Sequence, residues 1–179
     1  MLKEKIRTDR LLLRPVIVDD AIALDALQTW DVTRWLASVP WPQTLADLKA
    51  YLAKAEMENE AGISATYVIE FNGIVCGMIA LHPRDGAFSL GYWLGETYRG
   101  QGLMCEAAEA FVDAFFERTC AFHITSGMFV GDEPSSRVQE RLGFATVGET
   151  LRYARPVGKM LPYYETVLGR ERRFGRYAA

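Results

Sequence analysis

The sequence predicts an α+β (mixed α/β) fold, a mostly antiparallel twisted central sheet of about seven strands with helices on both faces. Three observations predict it. Residues 63–94 alternate large side chains with small or polar ones, and two turn signals break them, Asn72-Gly73 and His82-Pro83-Arg84-Asp85-Gly86. That is the pattern of an antiparallel meander. Residues 103–117 repeat apolar side chains at helical spacing, with Met104, Phe111, Val112, Phe115 and Phe116 on one face. An apolar run at 122–130 follows, and a helix crossing between two strands makes that pair parallel by default.

The elements run β-α-α-β-β-β-α-β-α-β-β. Residues 8–17 read as the first strand, with Leu11, Leu13 and Val16 on its buried side. Asp19 or Asp20 caps a helix carrying Ile22, Leu24 and Leu27. Three of the four tryptophans, Trp30, Trp35 and Trp41, then crowd a segment where Pro40 and Pro42 forbid a long helix. Thr44 caps the next helix, with Leu45, Leu48, Leu52 and Ala55 as its stripe. Strands follow at 63–71, 74–81 and 88–94. Glu106, Glu109, Asp113 and Glu117 mark the 103–117 helix with one acidic stripe, read as a solvated face. Residues 132–142 form a short helix ended by Gly143, with Phe144 folding back on it. Strands at 144–153 and 164–168 close the sheet, and the basic tail 170–176 reads as a solvated end.

Composition narrows the function. The 179 residues read as one domain, 1–179, large enough for a sizeable core, and the net charge of −3 gives no basic footprint for nucleic acid. Three cysteines, Cys76, Cys105 and Cys120, and two histidines, His82 and His123, lack metal-ligand or disulfide spacing. No metal is expected, a reducing cytoplasmic setting is, and both histidines read as packed or solvated. Leu11-Leu12-Leu13 between Arg10 and Arg14 is too short for a signal peptide, and no run is long enough to span a membrane. An exposed edge on the last strands would permit a homodimer.

The chemistry is carried by Tyr98-Arg99-Gly100-Gln101-Gly102-Leu103-Met104, at a strand-to-helix junction. Two glycines there bare backbone N–H groups at a helix N-terminus, which suits phosphate. On the glycines alone, a plain turn and a phosphate cradle stand equal. A P-loop is excluded because Leu103-Met104, not a lysine, follow Gly102. A dinucleotide fingerprint is disfavoured by Cys105 at the third glycine position and by the antiparallel strands before it. A pyrophosphate cradle beside Arg99 is left.

Gly91-Tyr92-Trp93-Leu94 followed by Arg99-Gly100-Gln101-Gly102-Leu103-Met104-x-Glu106-Ala107 resembles the acetyl-CoA motif of the GNAT superfamily of N-acyltransferases. Asp132-x-x-Ser135-x-x-Val138-x-Glu140-Arg141-Leu142-Gly143-Phe144 resembles a second motif of the Rim-type, ribosomal-protein N-terminal acetyltransferase branch. So does the opening Thr8-Asp9-Arg10-Leu11-x-Leu13-Arg14. The resemblance implies a single acyl-CoA N-acyltransferase domain that moves acetyl from acetyl-CoA to a primary amine by direct attack. The acceptor would be a protein N-terminus or a small molecule. It further implies that the strand around Trp93 and Leu94 splays from the next one and pairs with pantetheine. Arg99, Gly100, Gln101, Gly102, Leu103 and Met104 would take the pyrophosphate, with Asp132, Ser135 and Arg137 also at the cofactor. Arg141 shares a helix face with Arg137. Trp30, Trp35, Trp41 and Tyr92 would line the acceptor side.

Departures from the family pattern matter. Thr97 replaces Gln or Arg, Asp132 replaces Asn, Ser89 stands where relatives often carry a strand carboxylate base, and Gln139 stands where many carry a tyrosine acid. Ser135 is then the candidate to hydrogen-bond the departing sulfur. Asp85, Glu96, Tyr92 and Asp31 are open candidates for the base. A site without an obvious carboxylate suits an α-amine: with a pKa of about 8 it is roughly a tenth neutral at pH 7, against well under a thousandth for lysine. The alternative is a non-catalytic acyl-CoA-binding sensor that keeps the glycine cradle and lacks acid and base.

Overall fold

The computed structural model describes residues 2–175. One eight-stranded sheet runs in the order β1-β2-β3-β4-β5-β6-β8-β7. Its strands are β1 (Ile6–Arg7), β2 (Leu11–Pro15), β3 (Ala65–Phe71), β4 (Ile74–Arg84), β5 (Ala87–Leu94), β6 (His123–Phe129), β7 (Ala145–Ala154) and β8 (Lys159–Gly169). All neighbours are antiparallel except β5 and β6. The helices are α1 (Ala21–Leu27), α2 (Trp30–Thr33), α3 (Leu45–Ala61), α4 (Leu103–Arg118), α5 (Glu133–Leu142) and α6 (Arg170–Gly175). None among the described residues is long and apolar enough to cross a membrane.

The alternation of strand side chains sorts the helices onto two faces. Along β5, Phe88, Leu90, Tyr92 and Leu94 pack into the core beneath α4 and α5. Trp93 points the other way, to a smaller core of α1 and α3 residues with Met78. Phe111, Phe115 and Phe116 of α4 are fully buried, each contributing about 1.5–3 kcal/mol by removal from water. Gly143 closes α5 at φ +98°, and the Phe144 N–H donates back to Gln139 O at 2.9 Å, so Phe144 reaches the core as expected.

Five expectations need correction. The sheet has an eighth strand: the short β1 returns onto β2 through a turn in which the Thr8 hydroxyl accepts from Leu11 N at 2.9 Å. Two paired residues leave too little periodicity to see. β8 begins at Lys159, not Tyr164, and runs through Pro162; β6 ends at Phe129, so Pro162 has strand pairing on its β7 side alone. Phe122 lies outside β6 and is 85% exposed.

The acidic stripe is not a solvated face. Glu106 accepts from Thr8 Oγ1 and pairs with Arg10 Nε at 2.6 Å, Glu109 pairs with Arg141 at 3.1 Å, and Asp113 takes Arg173 at 2.6 and 2.9 Å. Helix α4 is thus tied to the N-terminal turn, α5 and α6, all distant in sequence. Accordingly the tail through residue 175 is a docked helix with Arg173 buried; residue 176 lies outside the described residues.

Candidate active site

Strands β5 and β6 share two register pairs, Phe88 with Ile124 and Ser89 with Thr125. Beyond them β5 continues five residues to Leu94 with its other edge on β4 and no ladder partner on the β6 side. The Ser126 hydroxyl donates to Leu90 O at 2.9 Å, which marks the fork. Close packing shapes both arms. A Cβ on Gly77 would lie 2.2 Å from Trp93 O, and one on Gly127 would lie 2.3 Å from Tyr164 O, so only glycine fits at either place. A cavity of about 1240 Å³ opens at this fork, more than a drug-sized ligand needs.

At one end of the cavity is the glycine loop. Gly100 and Gly102 both sit at φ +75°, where L side chains are strained, and Gly102 is the N-cap of α4 with no side chain capping the helix. The first-turn N–H groups therefore face the cavity free for an anion. Arg99 lines the same end, its guanidinium donating to Leu94 O at 3.3 Å and Asp31 O at 3.4 Å. Gln101 turns away and donates to Thr97 O, whereas Leu103 and Met104 line the wall. Arg10 braces the loop from behind, donating to Gln101 O at 3.0 Å while paired to Glu106. Burial works against the Glu106 carboxylate, but the bonds from Thr8 and Arg10 outweigh it and hold its pKa below the usual value. An open, uncapped cradle beside a cation fits a pyrophosphate.

The opposite wall of that end is the start of α5. Asp132 caps the helix, accepting from Ser135 N at 3.3 Å and from the Ser135 hydroxyl at 2.7 Å. Asp132, Ser135 and Arg137 all line the cavity, and Arg141 does not. The Ser135 proton is thus directed at Asp132. Gln139, at the position of the missing tyrosine, is spent on structure: its amide donates to Ser126 Oγ and Gly127 O, and its Oε1 accepts from Thr166.

The acceptor-side expectations divide. Trp35 lines the cavity; Trp30 and Trp41 do not, and their rings pack on each other at 5.9 Å. Tyr92 lines the cavity from the core side beneath α4 and α5, and its hydroxyl donates to Ser135 O at 3.2 Å. Burial pushes its phenol far above the ordinary value, so it is no base. Asp31, Asp85 and Glu96 do not line the cavity. Asp31 pairs with Arg34, Asp85 is exposed at a hairpin tip, and Glu96 accepts from the Thr29 hydroxyl.

Sequence reasoning passed over His82. It lines the cavity on β4, directly opposite Ser89 in the ladder and therefore on the same face of the sheet. Burial pushes its imidazole below the ordinary value, with Glu58 and Lys54 making smaller opposing contributions. A neutral imidazole thus sits across from the serine that stands in place of a carboxylate. No local signal marks it, since the pairing comes from strand register.

The chain was compared with known proteins. A family model described as the acetyltransferase (GNAT) domain matches residues 10–145. The chain is 32% identical to a putative ribosomal N-acetyltransferase, YdaF, of Bacillus subtilis (strain 168) over 82 residues, which is 44% of this chain and 45% of that protein. It is 25% identical to the ribosomal-protein-serine acetyltransferase of Escherichia coli (strain K12) over 121 residues, 64% of this chain and 68% of that protein. Mycobacterium smegmatis RimJ, solved in complex with CoA-disulfide, shares the fold, with a TM-score of 0.79 at 20% identity over 94% of this chain and 87% of that one.

Proposed function

The chain belongs to the GNAT acetyltransferase family, on its Rim-type branch, and we propose that it is an acetyl-CoA-dependent N-acetyltransferase acting on the N-terminal α-amine of a protein or peptide. The observation that carries this is the fork: an unpaired edge of β5 leads directly to the uncapped N-terminus of α4. One edge can hold an extended amide chain while the other end holds its phosphates. The similarity to ribosomal-protein acetyltransferases supports a protein amine as acceptor.

The residues divide the work as follows. Acetyl-CoA brings the activated acyl group as a thioester. Arg99, Gly100, Gly102, Leu103 and Met104 hold its pyrophosphate, and Arg137 lies near the remaining phosphates. The backbone of Trp93 and Leu94 aligns the pantetheine arm and polarises the carbonyl through a strand N–H. Alignment of amine and carbonyl is the main service. His82, neutral at pH 7, takes the proton from the amine through water. Ser135 turns its hydroxyl from Asp132 to the sulfur as the thiolate leaves.

Two outcomes test this assignment. Release of free thiol by the wild-type chain should depend on an added peptide amine, with N-terminal amines preferred over internal lysines. Ser135→Ala should lower kcat about tenfold, the low end for a hydrogen bond to a charged group because Asp132 competes for the proton. Tight acetyl-CoA binding with no turnover on any amine would instead make the chain an acyl-CoA sensor. Separately, Gly102→Val should raise KM for acetyl-CoA by about 5–30-fold, the equivalent of the roughly 1–2 kcal/mol that a left-handed conformation costs an L residue. Steady-state kinetics should show KM for the acceptor unmoved.

A further inference from the structure

The charges around the cavity are lopsided. Five arginines line it, Arg84, Arg99, Arg137, Arg152 and Arg155, against two aspartates, Asp47 and Asp132, in a chain of net charge −3. Arg99 and Arg137 stand at the phosphate end. The other three, Arg84, Arg152 and Arg155, come from β4, β7 and the turn after β7. Both aspartates are occupied locally, Asp132 by Ser135 and Asp47 by the Thr44 hydroxyl at 2.6 Å.

These three arginines are positioned. The Arg152 guanidinium lies 4.7 Å over the Tyr163 ring, and Arg155 donates through its backbone to Ala37 O at 2.9 Å and through Nη1 to Ser38 O at 3.4 Å. Beneath them Phe129, Ala154 and Tyr163 form a small core with Trp35 and Ala37. Burial raises the pKa of the Tyr163 phenol, and Arg152, Arg84 and Glu165 all lie near enough to act on it. Neither Arg152 nor Arg155 has a carboxylate within salt-bridge distance among the described residues. Arg84 has only the exposed Asp85 at 3.4 Å. Three cations on one cavity wall, two of them without a carboxylate partner among the described residues, are arranged for an anion from outside.

We infer that the acceptor is an acidic peptide N-terminus, whose carboxylates at the second or third position are held by Arg84, Arg152 and Arg155. This rests on the acetyltransferase reading above and adds the substrate class. The spacing suits it. Arg84 lies two residues beyond His82 on the same face of β4, about 7 Å at the rise of a strand, which is the reach of two extended residues. Guanidinium forks match carboxylates in pairs, and the open cavity admits a chain.

The test compares a peptide beginning Ser-Glu-Asp with its neutral isostere beginning Ser-Gln-Asn, by thiol release and by calorimetric titration into the CoA-loaded full chain. The acidic peptide should bind and react with at least about a tenfold advantage, shrinking as salt rises. In Arg152→Gln/Arg155→Gln the acidic-to-neutral ratio should fall to near one, and Arg152→Glu should invert it toward a lysine-bearing peptide. If the double variant does not melt cooperatively, the exposed single change Arg155→Gln and the salt dependence of the wild type carry the same test. Equal affinity for both peptides overturns the proposal, and tighter binding of O-phosphoethanolamine than of the acidic peptide overturns the peptide assignment. If no amine turns over, the acetyltransferase reading falls, while the binding ratio still decides whether the anionic pocket exists.

Discussion

His82→Gln should lower kcat/KM for a peptide α-amine by about a hundredfold or more, within the range for loss of a general base. The pH profile is the deciding readout. Because burial lowers the imidazole pKa, the wild-type acid limb should fall below the ordinary histidine value of about 6.5. In the variant that limb should vanish, and an unchanged limb would remove His82 from the chemistry. Stability moves in a defined direction too. Between the lowered folded value and about 6.5, the unfolded chain binds a proton that the folded chain refuses, so stability rises with pH through that window and is flat above it. His82→Gln removes this contribution, and melts at a series of pH values would show the slope disappear. A histidine of purely structural importance would change the melts without moving the rate profile.

The largest effect on stability is expected where α6 docks on α4. The Arg173 side chain is 2% exposed and its partner Asp113 29%. Arg173→Ala leaves that carboxylate half-buried against an apolar helix without its two charged hydrogen bonds. Breaking one side of a buried pair costs about 3–5 kcal/mol, reduced here to about 2–4 kcal/mol because Asp113 is partly open to water, which for a chain of this length lowers Tm by about 4–16 °C. Calorimetry on Arg173→Leu/Asp113→Leu should recover part of the loss, because the Asp113 carboxylate is then not left without its partner. A drop of less than about 2 °C in the single variant would mean that α6 docks through Phe174 on Phe116 alone, rings that lie 6.2 Å apart.

What was legible in the sequence follows the range of each interaction. Asn72-Gly73 and the alternation around it are local, and the hairpin they predict is β3–β4. Gly100 and Gly102 were legible as a turn that leaves a helix start bare, because that geometry is carried by backbone alone. Arg84, Arg152 and Arg155 line one cavity from segments some 70 residues apart, and no local pattern gathers them. His82 depends on register with Ser89. The acidic stripe of α4 misled because amphipathic spacing says which residues share a face and not what that face meets. Resemblance alone assigns Trp30 and Trp41 to the acceptor side; in the structure their rings lie 5.9 Å apart and neither lines the cavity.

The fork between β5 and β6 also bears on how the domain holds together. The sheet is two half-sheets, β1 to β5 and β6-β8-β7, joined in register at two residue pairs. The remaining seam is closed by α4 and α5 packing across it and by hydroxyls such as Ser126. Each backbone bond left unmade along residues 91–94 forgoes about 0.5–1.5 kcal/mol of net stability. In the proposed function those same groups are offered to the cosubstrate arm, so the ligand that reacts in the cleft would serve, while bound, as the missing rung of an incomplete sheet.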